Sequence, residues 1–399
     1  MKRFAFLVAF AAALLVNQPL PPIVTMANQL AAILGFGLVL LLAPAPRPLG
    51  TTWRAVAPLL AVLALAAAAC AWSIATGGYP AQPGIGVLGL IGLAAAVALH
   101  GASAAAVQPV PFGRMLALAL VIGGACEAVV AIAQTFFFDH LDNIIVAIPM
   151  RRGRVGGNVG QPNQFADTML WGLIAIVPLA RAWQDRGGAR LARAGWVALA
   201  LLMLLGLVLT GSRTPFVALL LLAAWGIADR QLSRPLRIAL VLSPIVAVLL
   251  SAGVHVLADI LHIEAGITDR SDATDVTSFR SEIWRQSLAL IRQDPWLGVG
   301  WGDFNLAWTL TPFSARSAGL VDNAHNLVLQ LAVEMGVPLA LLMTGLLLAA
   351  LVSAFRRTWR LAGDAGVCGR ATLMIVVVMG LHSMLEYPLW YAYLLLPTA

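Results

Sequence analysis

The stretch NLVLQLAVEMGVPLALLMTGLLLAALVS, residues 326–353, is apolar over almost its whole length and carries one charged side chain, Glu334. A helix needs roughly 20 mainly apolar residues to cross the hydrocarbon core of a bilayer. This stretch is long enough to do so, and it is the longest of eleven apolar runs in the chain. We therefore expect the fold to be a bundle of transmembrane helices.

The composition of the whole chain supports the same fold class. The 399 residues are 60% hydrophobic and 11% charged, and the mean hydropathy is +0.88. Soluble domains are about 25% charged and about 45–50% apolar, so an ordinary cytosolic or secreted globule is excluded. The net charge of +7 does not indicate a nucleic-acid partner, because the Arg residues stand in short groups between apolar runs and form no basic face.

The sequence thus predicts an all-α polytopic membrane protein with about 11–12 transmembrane helices. The first run follows Lys2 and Arg3 and is expected to be a retained helix. A signal peptide is the alternative, although no small-residue cleavage pattern precedes Asn17. The eleven runs are 4–16, 23–43, 54–75, 83–106, 114–138, 164–182, 195–210, 215–228, 238–257, 326–353 and 371–386.

The predicted outer segment 258–325 is far longer than an ordinary connection between helices, which has about 2–8 residues. This segment is expected to be a functional periplasmic loop. Within it, residues 278–293 have apolar side chains at three- and four-residue spacing, which predicts an amphipathic helix at the membrane surface that ends at Asp294-Pro295. We divide the chain into N-terminal transmembrane helices (1–138), central transmembrane helices with outer polar motifs (139–257), the large periplasmic loop (258–325) and C-terminal transmembrane helices (326–399).

The distribution of basic residues predicts the orientation of the bundle. With the N-terminus in the cytoplasm, most of the 25 Lys and Arg residues fall in cytoplasmic segments, as the positive-inside rule requires. Arg213, Arg280 and Arg285 are among those that fall outside. Because they run against the orientation signal, they need a functional explanation.

Polar residues are concentrated at the predicted outer ends of the helices. Because five polar patches fall on one side of the membrane, we expect them to line one cavity that opens to the outside. The patches are GGNVGQPNQFAD (156–167), TGSRTPF (210–216), the segment with Arg280 and Arg285, VDNAHNLVLQ (321–330) and HSMLEYPLWYAY (382–393).

The arginines of these patches are candidate phosphate ligands. A guanidinium group forms bidentate hydrogen bonds with phosphate and keeps its charge. Arg213 lies between two apolar runs, where a cation is costly unless it faces a cavity or an anion. Snorkelling to the lipid head groups is the alternative for Arg213, and a solvated loop charge is the alternative for Arg280 and Arg285.

A histidine, two amides and a carboxyl group complete the candidate site. His325 stands in a polar motif at the start of a helix, where a neutral imidazole suits proton transfer from a hydroxyl and a helix cap is the alternative. Gln161 and Asn163 suit sugar hydroxyls or a pyrophosphate, and capping is the alternative for Asn163. Glu386, beside Tyr387, is expected to pair with an arginine or to bind substrate.

Two further features of the sequence concern the aromatic residues near the C-terminus and the absence of common catalytic motifs. For the aromatic residues Trp390 and Tyr393, an interfacial belt is the preferred interpretation. No P-loop, HExxH, GxSxG or paired-Cys motif occurs, and the motif GVGWG at 298–302 is interpreted as a turn. Cytoplasmic ATP chemistry is therefore unsupported.

These motifs together resemble a superfamily of bacterial O-antigen ligases, O-antigen polymerases and O-oligosaccharyltransferases. The resemblance covers about residues 150–399 and is greatest to the O-oligosaccharyltransferase branch, whereas the N-terminal half is similar only as a series of spans. The motifs that carry it are GNVGQPNQFA, the SR pair at 212–213, RSEIWRQSLALIRQDPWLGVGWGDF, DNAHNLVLQLAVEMGVP and HSMLEYPLWYAYLLLP.

The resemblance implies a glycosyltransferase in the bacterial inner membrane, with its active site facing the periplasm. Such an enzyme transfers a glycan from undecaprenyl diphosphate to an acceptor hydroxyl, with inversion and without a metal ion or other cofactor. Arg213 and Arg280 would hold the diphosphate, with Arg285 as a third contact, and His325 would orient or deprotonate the acceptor hydroxyl. The residues expected to line the substrate site are Asn158, Gln161, Asn163, Asn326, Glu386 and Tyr387.

The sequence leaves several alternatives open. The acceptor is lipid A-core, a protein Ser or Thr, or another O-antigen unit, in which case the enzyme is a polymerase. A lipid-linked glycan flippase belongs to a different class, but transporters usually bind substrate near the midplane between repeats, and no repeat is visible here. A structural scaffold would leave the outer arginines unexplained. Too few residues follow Pro388 for a twelfth span, so the sequence is either naturally short or truncated.

Overall fold

The computed structural model describes residues 9, 11–17, 20, 23, 25–42, 50, 52–149, 152–184, 190–265, 272–313, 316 and 321–399. Within these ranges the regular structure is helical, apart from two isolated bridges, so the predicted all-α fold class is confirmed. The α-helices are α1 (Met26–Leu42), α2 (Trp53–Ala75), α3 (Ala81–Val107), α4 (Pro109–Phe136), α5 (Pro162–Gln184), α6 (Arg190–Leu209), α7 (Thr214–Ala228), α8 (Arg234–Leu261), α9 (Asp272–Gln293), α10 (Phe304–Leu310), α11 (Leu327–Arg360), α12 (Gly363–Ser383) and α13 (Ala392–Thr398).

Seven helices of the described ranges, α2, α3, α4, α5, α8, α11 and α12, are long and apolar enough to cross a membrane. The apolar helices α1, α6 and α7 are shorter; α7, for example, has 15 residues, which span only about 22 Å of a hydrocarbon core of about 30 Å. Each predicted run from 23–43 onward coincides with one of these helices. The first run, 4–16, lies only partly within the described ranges.

Helix α5 lies at the centre of the bundle. It is buried on all sides, with Phe165, Met169 and Trp171 among its largest enclosed side chains, which is typical of a helix surrounded by protein. It packs against α4, α6 and α12. Helices α2, α3 and α8 instead bury few of their residues inside the protein, as expected for helices that face lipid. The polar first turn of α5 is thereby fixed at the middle of one end of the bundle.

Two ion pairs join helix ends on the predicted cytoplasmic side. Arg370 Nε of α12 donates to Asp229 Oδ2 at 2.5 Å, and both side chains are almost fully buried. Arg114 of α4 pairs with Asp364 at 2.6 Å. A buried ion pair is favourable only when further hydrogen bonds offset its desolvation, and Arg370 also donates to two backbone carbonyl groups. These contacts fasten the end of the bundle that lies opposite the polar patches.

The amphipathic helix predicted at 278–293 is part of α9 and ends at Gln293 as expected. Its residues Ile283 and Leu290 are buried together with Phe304 of α10 and Val333 of α11. The helix is thus confirmed, and two of its apolar side chains are enclosed by protein. They pack against protein, because the same loop supplies a second apolar surface on α10.

The turn predicted from GVGWG docks against an interruption of α11. At Gly336 the backbone has φ 77° and ψ 161°, so the helical hydrogen bonds stop there. Val299 N donates to Val333 O at 2.9 Å, and Val337 N donates to Pro295 O at 2.8 Å. Because backbone groups at membrane depth need partners inside the protein, these bonds join the loop and the helix. The turn is confirmed, whereas the break in the 326–353 run was not predicted.

We expect Gly336→Ala to lower the melting temperature of the detergent-solubilised protein. A Cβ here would lie 2.2 Å from the Trp296 carbonyl oxygen, and an unsuitable positive φ costs about 1–3 kcal/mol. Gly345→Ala on the same helix is the control, because a Cβ there meets nothing within 4 Å. Equal melting temperatures for the two variants would show that the break does not depend on glycine.

Candidate active site

One carboxylate, that of Glu386, joins three distant segments at the outer end of the bundle. Its Oε1 accepts hydrogen bonds from Arg280 Nη2 at 2.5 Å and from Asn163 Nδ2 at 3.0 Å, and its Oε2 accepts from His325 Nδ1 at 2.7 Å. Ser212 Oγ donates in turn to Asn163 Oδ1 at 2.8 Å. These five residues, called the Glu386 cluster below, include one from each predicted polar patch. The expected convergence of the patches is therefore observed.

The carboxylate of Glu386 is ionised although only 11% of its side chain is exposed. Burial raises the pKa of Glu386, but the hydrogen bond from His325 and the positive charge of Arg280 lower it by more than burial raises it, so the pKa lies below its ordinary value. An ionised carboxylate can only accept hydrogen bonds. Nδ1 of His325 therefore carries a proton, and Nε2 is the ring nitrogen that can accept one.

The backbone around His325 fixes the imidazole in place. Its φ of 48° lies in the left-handed region, a conformation that persists only where the surroundings hold it. Asn323 Oδ1 accepts from His325 N at 3.0 Å. Asn326 caps α11 through Oδ1 and donates from Nδ2 to the Met384 carbonyl at 3.0 Å. The motif DNAHN thus ties the imidazole, the start of α11 and the segment before Glu386 together.

Two of the predicted amide ligands, Gln161 and Asn158, form hydrogen bonds with backbone groups near the start of α5. Gln161 Oε1 accepts from Gln164 N at 2.7 Å and so caps the helix. Asn158 is buried and forms hydrogen bonds with three backbone groups. Of the amides in this patch, Asn163 is the one that enters the Glu386 cluster.

The three candidate arginines have different surroundings. Arg280 belongs to the Glu386 cluster. Arg213 directly follows Ser212 and is exposed, and no hydrogen bond or ion pair joins its side chain to the residues that the structure describes. Arg285 is also exposed but pairs with Glu282 on its own helix. Arg213 is thus available to an anionic ligand, whereas Arg285 already has a partner outside the cluster.

Aromatic side chains lie next to the imidazole. The ring of Tyr387 meets His325 edge-on, with ring centroids 5.7 Å apart, and Tyr391 Oη donates to Tyr387 Oη at 3.4 Å. Burial raises the pKa of Tyr387, so its phenol stays protonated. Tyr393 is buried and bonds to Gln164, so the prediction of an interfacial position for Tyr393 is wrong: its hydroxyl has found a partner inside the bundle.

Sequence reasoning missed three buried ionisable groups. His382 of α12 bonds through Nδ1 to Asp167 Oδ2 of α5, and both side chains are buried. Glu127 of α4 is fully buried, and its Oε2 accepts from Asn158 N at 3.0 Å. Isolated acids in apolar runs are the signal that could have revealed Asp167 and Glu127. Within the described ranges, no group of His, Cys, Asp and Glu side chains could hold a metal ion.

We expect Glu386→Gln to loosen the attachment of α9. A neutral amide leaves the partly buried Arg280 without its counter-charge, and removing one partner of a buried pair is strongly destabilising. Backbone hydrogen exchange in residues 279–293 should therefore be faster than in the wild type. Asp139→Asn is the control, because its pair with Arg152 is exposed and such pairs contribute about 0–1 kcal/mol. Unchanged exchange in α9 would show that Glu386 does not hold this helix.

Comparison with known proteins gives two kinds of match. Residues 198–344 match the model of a family described as O-antigen ligase, and this segment contains Arg213, Arg280 and His325. The chain is 26% identical over 263 residues to the ComP-specific O-oligosaccharyltransferase of Acinetobacter baylyi, covering 65% of this chain and 45% of the relative. It is 35% identical over 123 residues to the general O-oligosaccharyltransferase of the same organism, covering 30% of this chain and 20% of the relative.

The aligned residues thus span less than half the length of these curated relatives. The matched family segment nevertheless runs from α6 to α11 and includes the long outer loop. The resemblance seen in the motifs, to transferases of the ligase and oligosaccharyltransferase type in a multi-pass membrane protein, is confirmed. Residues 198–344 are thus similar to the O-antigen ligase family, and the two relatives to which the chain is similar are named O-oligosaccharyltransferases.

Proposed function

We propose that this protein transfers a glycan from undecaprenyl diphosphate to an acceptor hydroxyl on the periplasmic side of the bacterial inner membrane. The observation that carries the proposal is the Glu386 cluster, in which one carboxylate joins Arg280 and His325. An arginine suits a diphosphate and a histidine suits a hydroxyl. The cluster therefore combines the two groups that this transfer needs, and the family match supports the reaction class.

His325 takes the proton of the acceptor hydroxyl. Its Nδ1 is engaged by Glu386, so Nε2 accepts the proton while the carboxylate fixes the tautomer and stabilises the imidazolium that forms. The acceptor oxygen attacks the anomeric carbon as the bond from that carbon to the diphosphate oxygen breaks, and the configuration inverts. A positioned base of this kind contributes about 10²–10⁴-fold to the rate.

The departing polyprenyl diphosphate gains negative charge, which the arginines stabilise. Arg280 uses Nη2 for Glu386 and keeps other N–H groups for the leaving oxygen. Arg213 is exposed beside the cluster and supplies a second guanidinium. Fixed positive groups aimed at developing charge act in place of a metal ion. Arg285 is a more distant contact, because it must release Glu282 before it can bind an anion.

Some of the other predicted ligands contact the substrate directly, and the rest hold the residues that do. Asn163 and Gln161 are partly exposed at the start of α5 and offer amides to sugar hydroxyls. Tyr387 supports the ring of His325 by its edge-on contact. Asn158 and Asn326 contribute indirectly, because their amides hold the backbone on either side of the cluster.

The acceptor that we favour is a protein hydroxyl. Both curated relatives are named O-oligosaccharyltransferases, and one of them is named ComP-specific. Lipid A-core, the acceptor expected of an O-antigen ligase, is the second candidate because of the family match. Incubating the purified protein and a lipid-linked glycan with either a pilin-like protein or a rough lipopolysaccharide distinguishes the two, since the glycan should appear on one of them.

We expect Arg213→Ala, Arg280→Ala and His325→Ala each to lower glycan transfer at least about 100-fold in a reconstituted assay, at unchanged expression. His325→Ala should still bind the donor, because the arginines hold the diphosphate. Arg292→Ala is the matched control, since Arg292 is exposed on α9 and lies outside the cluster. Retained turnover in any of the three variants, or loss of donor binding in His325→Ala, would contradict these assignments.

Transfer should also be insensitive to chelators. The arginines supply the positive charge for which many phosphate-releasing enzymes use a metal ion. EDTA added to the same assay should leave the initial rate unchanged. Inhibition that added divalent metal reverses would reject the metal-independent mechanism.

A further inference from the structure

Two buried polar side chains in the first turns of α11 take no part in the reaction proposed above. Gln330 is 4% exposed and Glu334 is 5% exposed, and Glu334 is the one charged residue of the 326–353 stretch. Such groups are costly to bury unless they have hydrogen-bond partners. Because they are four residues apart, they lie on the same face of the helix. Their partners form a chain of hydrogen bonds that ends next to His325.

The first link of this chain joins Gln330 to the backbone directly before His325. Ala324 N donates to Gln330 Oε1 at 2.7 Å, and Ala324 has no exposed surface. A backbone N–H group can only donate, so this bond fixes the orientation of the Gln330 amide. Since His325 has a left-handed φ of 48° that its surroundings must hold, the bond at Ala324 is a restraint on the imidazole.

The second link joins the Gln330 amide to the outer loop through Glu334. Gln330 Nε2 donates to Glu334 Oε1 at 2.9 Å. The backbone N–H groups of Gly302 and Phe304 also donate to this carboxyl group, and Gly300 N donates to the Glu334 carbonyl oxygen at 3.0 Å. The carboxyl group is an acceptor in each of its bonds, as a carboxylate must be. Glu334 therefore holds both the loop and the amide that restrains His325.

We propose that Gln330 and Glu334 are positioning residues for His325, and that through them the docked outer loop fixes the place of the imidazole. Gln330 holds the backbone before His325, and Glu334 holds Gln330 against the loop segment 299–304. Both act through His325 and need no contact with substrate. The catalytic part of this role rests on the proposed function, whereas the hydrogen-bond chain rests on the geometry alone.

Exchanging the two side chains tests the chain, because an amide and a carboxylate have nearly the same shape. Gln330→Glu places two carboxylates against each other. Glu334→Gln turns a donor either toward the N–H groups of the loop or toward the Gln330 amide. In the double variant Gln330→Glu/Glu334→Gln, the carboxylate at position 330 accepts from Ala324 N and from the amide at position 334, whose oxygen faces the loop. Every link is then present again, with the middle one reversed.

The measurement is glycan transfer by the purified full chain, with kcat and the KM for the acceptor determined separately. The donor is the lipid-linked glycan, and the acceptor is whichever of the pilin-like protein and the rough lipopolysaccharide is glycosylated. Each single variant should lose about tenfold to a hundredfold in kcat, the effect of displacing a catalytic group by about 1 Å, and its KM should stay close to that of the wild type. The double variant should regain most of the wild-type kcat.

Two further variants separate positioning from loss of folding. Gln330→Met removes both bonds of the amide without adding a charge, and it should lower kcat as the other single variants do. Gln293→Glu is the matched control for Gln330→Glu, because it makes the same change at an exposed position at the end of α9, and it should leave kcat and KM unchanged. Melting temperatures identify the variants that are folded at the temperature of the assay.

Backbone hydrogen exchange without substrate tests the chain apart from the reaction. Exchange in residues 321–326 should be faster than in the wild type in Gln330→Met and in Glu334→Gln, and close to the wild type in the double variant. The reason is that Ala324 N loses its acceptor in the first variant and its acceptor loses its anchor in the second.

Wild-type kcat in a folded single variant would overturn the positioning role. A double variant no more active than the weaker single variant would overturn it too, because the two side chains would then not act through each other. Exchange that follows the expected pattern, in a protein that transfers no glycan, would support the hydrogen-bond chain and reject the proposed function. Normal transfer and unchanged exchange in all variants would reject the chain alone.

Discussion

The buried charge of Glu386 determines how the outer end of this protein is organised. An ionised carboxylate is costly to remove from water unless charged or polar partners surround it. Its partners Arg280, His325 and Asn163 come from the long loop, the start of α11 and the start of α5. The carboxylate therefore occupies this position only when all three segments are in place. The contact that holds the segments together also determines which ring nitrogen of His325 is free to accept a proton.

The two ends of the bundle use charge differently. At the predicted cytoplasmic end, Arg370 and Asp229 are enclosed almost completely, and the guanidinium is directed to backbone carbonyls. At the outer end, Arg280 and His325 keep about a fifth of their side chains exposed, and Arg213 is open to solvent. The first arrangement is typical of structural fastening. The second leaves cations accessible, which is what binding an anionic substrate requires.

Much of the helical architecture could be predicted because a bilayer imposes both length and apolarity on every span. The grouping of Arg280, His325 and Glu386 could be predicted as well. Polar residues at the same end of successive helices lie on the same side of the membrane, and they are costly where they face lipid. The pairing of Asp167 with His382 could not, because 215 positions separate them and nothing in their two polar patches indicates which side chains meet. The roles of Asn158 and Asn326 were equally hidden, since an amide that holds backbone and an amide that binds sugar look alike in sequence.

The break at Gly336 also escaped prediction, because its conformation depends on a partner far away in the chain. The main chain of the outer loop replaces part of the main chain of α11 at this point, with Val299 and Val337 donating in opposite directions. As a result, the loop is not a separate domain, because α11 forms its full set of backbone hydrogen bonds only when the loop is in place. A chimera that exchanges the loop with that of a relative should therefore exchange residues 333–338 as well, because the two main-chain segments fit each other at Gly336.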